Sequence, residues 1–184
     1  MNYEIDIAGK KRSLKLFSVS EDTQIAAFIL YGDVEMTGHA AEKLLEAAPD
    51  FDIILTAASK SIALAYEMTR RAGKEEYVVA LKSRKVYMDN PITVNVNTIT
   101  TQQQQSLFIG EDDAAKLRGR RVLIVDDVIS TGASLRALEE LAERAGGIIT
   151  GKMAVLAEGD AYDRTDITAL GKLPLFDGDG NIKE

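Results

Sequence analysis

Two carboxylates stand side by side in VLIVDDVISTGAS, Val122 to Ser134, where four apolar residues run into Asp126 and Asp127 and these run into a Ser-Thr-Gly-Ala-Ser stretch. An apolar run of that length reads as a buried strand, and the residues after Ser134 read as a helix. In an open parallel sheet, ligands bind beyond the carboxyl ends of the strands, which is where this acid pair falls, at a wet sheet edge rather than within the core. The loop Ser130, Thr131, Gly132, Ala133, Ser134 opens the helix. Its backbone N–H groups can converge on an anion at the positive end of the helix dipole, and its three hydroxyls add donors. Gly132 allows a close backbone approach. Two acids beside a phosphate cradle call for a ligand with a phosphate at one end and hydroxyls, or a divalent cation, a few ångströms away. A ribose 5-phosphate meets both requirements.

Such a site needs a framework of strands and helices. FDIILTA reads as a short buried strand, Ser61 to Gly73 as a helix ended by glycine, YVVALK as a second strand, RVLIVDD as a third and KMAVLAE as a fourth. The helix Ser134 to Ala145 places Leu135, Leu138, Leu141 and Ala145 on one face and stops at Gly146-Gly147. Strands alternating with helices, each strand a continuous apolar run, predict an α/β fold: an open, mostly parallel sheet flanked by helices. Ahead of this core, Val34 to Ala48 is a helix stopped by Pro49, and the alternation of Tyr3, Ile5 and Ile7, then Leu14 and Leu16, predicts a peripheral hairpin. About 38 residues separate YVVALK from RVLIVDD, far more than a simple crossover needs. Within them, ITVNVNTIT alternates and TQQQQS is polar, which fits a flexible lid over residues 83–106 or an accessory ribbon packed on the sheet.

Composition excludes several classes. The 184 residues, 46% apolar and 28% charged, fit one compact domain, 1–184. A net charge of −7 opposes a general grip on nucleic acid or on an anionic membrane. With no cysteine, disulfides, thiolate zinc sites and a thiol nucleophile are excluded, and with no long apolar N-terminal stretch the expected location is the cytoplasm. His39, the single histidine, lies in the N-terminal helix and is assigned a structural or exposed role.

The acid-pair motif resembles the signature of type I phosphoribosyltransferases, which bind 5-phosphoribosyl 1-pyrophosphate (PRPP). The resemblance covers roughly residues 50–160 and implies that Asp126 and Asp127 hold the ribose hydroxyls while Ser130, Thr131, Gly132, Ala133 and Ser134 hold the 5-phosphate. TAASKSIALAY, Thr56 to Tyr66, is similar to the pyrophosphate loop of purine-type members, so Ala58, Ser59, Lys60 and Ser61 would line the diphosphate. In VVALKSRKVY, Lys82 and Lys85 resemble basic residues that reach pyrophosphate at the mouth of the flexible loop. The family further implies Mg²⁺ carried through PRPP, with Asp126 and Asp127 as its candidate protein contacts, a homodimer, and a small hood over the base built from residues of about 1–33 and 160–184. Leu175 and Phe176 would be hood contacts or core, core being the commoner fate of such residues.

For the acceptor, Ser130 stands where members using 6-oxopurines often carry Asp, and SRKVYMDNPITVNVN does not match the loop of orotate enzymes. Adenine is therefore the favoured base, although the loop glutamate usual in adenine enzymes is missing from TITTQQQQSLF and no general acid is assigned. Xanthine, hypoxanthine, guanine or orotate remain the alternatives. So does a non-catalytic PRPP-sensing module like those of purine transcriptional regulators, although no basic face for DNA is evident.

Overall fold

A computed structural model of the protein describes residues 1–96 and 105–183. The strands are β1 (Asn2–Ile7), β2 (Lys10–Ser18), β3 (Gln24–Ala26), β4 (Ile53–Ala57), β5 (Tyr77–Ala80), β6 (Ile92–Val96), β7 (Gln105–Ile109), β8 (Arg121–Ile129), β9 (Ile148–Glu158), β10 (Thr168–Leu173) and β11 (Leu175–Phe176). The helices are α1 (Val34–Ala47), α2 (Ile62–Arg71), α3 (Glu111–Leu117) and α4 (Ala133–Arg144), with a 3₁₀ turn at Gly159–Asp163.

The central sheet has the order β10-β9-β8-β4-β5, and each neighbouring pair is parallel. Its strands alternate between two cores, as a period of two requires. Ile54, Leu123, Val125, Met153 and Val155 face α1 and α2, while Ile53, Leu55, Val122, Ile124 and Ala154 face α4 and the β6–β7 hairpin. The α4 stripe Leu135, Leu138, Leu141 and Ala145 is buried as its spacing predicts. Asp33 caps α1 by accepting a 2.9 Å hydrogen bond from the Met36 N–H, and Arg12 holds that carboxylate at 2.6 Å.

A second sheet, β1-β2-β3-β11, is antiparallel and covers one edge of the site. Its β1–β2 turn passes through Ala8 and Gly9, both with positive φ. Phe176 is fully buried here, edge-on to Tyr3 at 5.0 Å between ring centroids. His39 points its Nε2 at the Ile7 and Ala8 carbonyls, 3.2 and 3.0 Å away, a structural tie between α1 and the hairpin.

Three expectations change. Residues 168–173, assigned to the hood, form the edge strand β10 of the parallel sheet, and only β11 and its flanks join the hood sheet. Polar Thr168 and Lys172 and a glycine at 171 had hidden that strand, because an edge position leaves one side wet. The long excursion is in large part a ribbon: β6 and β7 pair antiparallel, and Val94, Val96, Leu107 and Ile109 are buried in the core against α4. Leu81 and Phe108 bond this ribbon to the end of β5. The expected lid tip, 97–104, lies outside the described residues. Helix α3, with its acidic first turn Glu111, Asp112 and Asp113, was not foreseen.

Candidate active site

β8 does not stop at its acids. It continues through Asp126 and Asp127 to Ile129, accompanied on one side by β9 as far as the Ile129–Ala157 pair. On the other side, pairing with β4 ends at Leu55–Ile124, while β4 stays with β5 to Ala57–Ala80. The sheet therefore splits just before the acid pair, and the loop after β4 faces it across the gap. The expectation that the acids lie at a wet edge is corrected: Asp127 is 3% exposed and Asp126 half-buried.

The cavity at this split holds about 390 Å³. Its floor carries Asp126, Asp127 and Val128 from β8; Ala57, Ala58, Ser59, Lys60 and Ser61 enter from β4 and the loop after it, and Lys82 from beyond β5. The Ala58–Ser59 peptide in this loop is cis. Ser130 and Ser134 connect this cavity with a neighbouring one of about 250 Å³, lined by Ser130, Thr131, Gly132, Ala133 and Ser134 with Asp126. Every residue drawn from the first two motifs is thus gathered around one split in the sheet. Lys85 is not; it is exposed and lines neither cavity.

The loop geometry suits an anion. Gly132 has a φ of 75°, and α4 begins directly after it with no acidic side chain in its first turn. The conformation calls for glycine, whereas a Cβ there would meet only the movable ends of arginine side chains, the nearest being Nη1 of Arg164 at 2.6 Å. The first N–H groups of the helix are left largely to a ligand, apart from a long 3.4 Å bond from Ala133 N–H to the Thr131 hydroxyl.

Burial, and then the neighbouring Asp127 charge, push the Asp126 carboxyl up to about 7. The Ser61 hydroxyl, donating to Asp126 Oδ1 at 3.0 Å, and the Asp127 N–H at 2.9 Å act the other way. Ser61 in turn receives the Thr56 hydroxyl at 2.9 Å, which fixes the start of α2 against β8. Oδ2 of Asp127 is buried without a hydrogen-bond partner among the described residues. Lys60 Nζ lies 3.0 Å from it, an ion pair by distance without hydrogen-bond alignment. A buried oxygen left in that state is a vacant acceptor for a ligand hydroxyl or cation.

Residues Ile25, Ala26, Ala27, Phe28 and Ile29 from β3 and the turn after it, Leu173 from β10, and Glu158 from the end of β9 complete the lining. Sequence reasoning missed them. Glu158 had a signal: KMAVLAE is an apolar run ending in an acid, the pattern that had singled out β8.

Residues 34–167 match the family described as phosphoribosyl transferase domain. The chain belongs to that family. The resemblance drawn from its motifs holds at this level: the chain carries a type I phosphoribosyltransferase domain and is similar to adenine phosphoribosyltransferases. It is 30% identical over 153 residues to an adenine phosphoribosyltransferase of Thermosipho africanus, covering 75% of this chain and 78% of that one. It is 31% identical over 130 residues to an orotate phosphoribosyltransferase of Metarhizium anisopliae, covering 71% of this chain and 46% of the other. Three other curated relatives, all adenine phosphoribosyltransferases, are spanned over only 33%, 69% and 59% of their lengths. The crystal structure of adenine phosphoribosyltransferase from Thermoanaerobacter pseudethanolicus shares the fold with a TM-score of 0.67 at 24% identity, covering 78% of this chain and 84% of that one.

Proposed function

We propose that this phosphoribosyltransferase moves the 5-phosphoribosyl group of PRPP to a ring nitrogen of a purine base, adenine favoured, in purine salvage. The bond from ribose C1 to pyrophosphate breaks, a C1–N bond forms, and the base loses its N–H proton. The observation that carries this reading is the split between β4 and β8. It sets an acid pair between a helix-terminal anion loop on one side and Lys60 and Lys82 on the other, all lining two connected cavities.

Each group then has a task. Ser130, Thr131, Gly132, Ala133 and Ser134 anchor the 5-phosphate through N–H and hydroxyl donors. Asp126 and Asp127 accept the ribose hydroxyls, and their charge favours the oxocarbenium character that builds on the ring as pyrophosphate leaves. Ala58, Ser59, Lys60 and Ser61, with Lys82, receive the pyrophosphate. The vacant Asp127 oxygen fits a cation as well as a hydroxyl, but among the described residues no cluster of three or more metal-ligating side chains occurs. Mg²⁺ would thus be held chiefly by the pyrophosphate, with Asp126 and Asp127 near it, and when bound it neutralises charge on the leaving group. Lys85, outside both cavities, takes no part in this scheme.

A homodimer in the cytoplasm completes the proposal. Among the described residues no helix is long and apolar enough to cross a membrane. Val86 and Tyr87, between β5 and β6, are exposed apolar surface of the kind a partner copy covers. Labelled PRPP with Mg²⁺ and, in turn, adenine, hypoxanthine, guanine, xanthine and orotate tests the function: adenine should give the highest kcat/KM. A win for a 6-oxopurine or orotate removes the adenine assignment. PRPP binding without turnover of any base replaces the enzyme by a PRPP sensor, the reading that the missing loop glutamate favours.

A further inference from the structure

Glu158 is a carboxylate in the cavity that none of the tasks above uses. It ends β9, the strand beside β8 on the side away from β4, and its side chain lines the same cavity as Asp126 and Asp127. Half-buried, it takes part in no hydrogen bond or ion pair among the described residues. Burial raises its proton affinity, and only the Lys60 charge opposes this.

The strand order says what lies near it. From the acid pair on β8, the lysine side of the cavity is β4 and β5, with Lys60 after β4 and Lys82 after β5. The opposite side is β9 and β10, with Glu158, Leu173 and the apolar Ala26 and Phe28 of the hood. With the sugar on β8 and pyrophosphate drawn to the lysines, the incoming nitrogen must approach C1 from the other face. A flat apolar ring then lies among Ala26, Phe28 and Leu173, and its polar edge needs a partner in an otherwise apolar wall.

Resting on the phosphoribosyltransferase reading, we infer that Glu158 recognises the acceptor, hydrogen-bonding through its carboxyl to an amino or ring N–H group on the edge of the base. A hydrogen bond to a charged or partly charged partner in such a wall is worth about tenfold or more in affinity. The rival role, a counter-charge that merely steadies Lys60, would show at the pyrophosphate end instead.

Calorimetric titration of Glu158→Leu and Glu158→Gln with AMP, ribose 5-phosphate and pyrophosphate separates these. The inference expects Glu158→Leu to weaken AMP about tenfold or more while ribose 5-phosphate and pyrophosphate stay within about twofold of the parent chain. Glu158→Gln, which keeps an acceptor and adds a donor, should recover part of the AMP loss. Unchanged AMP affinity in both variants overturns it, as does a loss confined to pyrophosphate or one shared equally with ribose 5-phosphate. If the parent chain binds none of the three ligands, the phosphoribosyl reading itself fails and takes this inference with it. If the parent binds ribose 5-phosphate as tightly as AMP, the base gains nothing from the wall and Glu158 alone loses its role.

Discussion

Lys60, in the loop after β4, places its Nζ 3.0 Å from Oδ2 of Asp127 on β8, bridging the gap where the two strands part. The lysine side chain is 48% exposed and the carboxylate 4%, so solvent screens one partner and not the other. Before any ligand arrives, the loop after β4 is already held to β8 by charge.

Removing that lysine should therefore affect ligand more than fold. Lys60→Met is expected to cost about 1 kcal/mol or less in stability, because the pair is half-solvated. It should weaken pyrophosphate about tenfold while ribose 5-phosphate changes little. Parallel urea unfolding and pyrophosphate calorimetry check both parts.

Asp126 gives a pH signature. Its carboxyl sits at about 7 in the folded chain against 3.8 for a free side chain, so between those values the folded state keeps a proton that the unfolded state has released. Stability contributed by this group falls as pH rises through that window, and the loss is complete above it. Asp126→Asn cannot ionise. Its stability relative to the parent chain should rise from about pH 5 to about pH 8, as read from urea midpoints at the two values.

The ribbon behaves as core, not as a detachable cover. Leu107→Ala should cost about 2–5 kcal/mol, since Leu107 is 2% exposed beside Val94 and α4. Thermal unfolding measures it; a change near zero would mean that β6 and β7 lift off the core freely.

Much of this was legible in advance because the physics is local. Apolar runs gave β4, β5, β8 and β9, the Leu135–Leu138–Leu141 stripe gave α4, and Asp126, Asp127 and Gly132 marked the site through residue types that a strand end and a helix start require. What escaped depended on partners distant in sequence. β10 is an edge strand whose polar residues mask its pairing with β9, and α3 is too short for a helical stripe. The β6–β7 alternation was visible, but its burial came from Arg144's helix α4 lying beneath it, with the Arg144 side chain donating to the Thr93 carbonyl at 3.1 Å. The site residues Phe28, Glu158 and Leu173 line the cavity only because the hood, β9 and β10, all distant from β8 in sequence, are brought to the same side of it. The depth of the acid pair was misjudged for a related reason: β8 is longer than its apolar run, because β9 continues to pair with it past the charges.

If Asp126 and Asp127 form the sugar cradle for PRPP, calorimetric titration with PRPP and Mg²⁺ reads their contribution without intervening steps. The parent chain should bind at a single site. Asp126→Asn combined with Asp127→Asn should keep the fold, since two closely placed acids are replaced by neutral amides of the same shape, yet lose at least about 100-fold in affinity as both carboxylate acceptors are removed. PRPP binding of equal strength in the folded double variant would mean that the two acids do not hold the sugar.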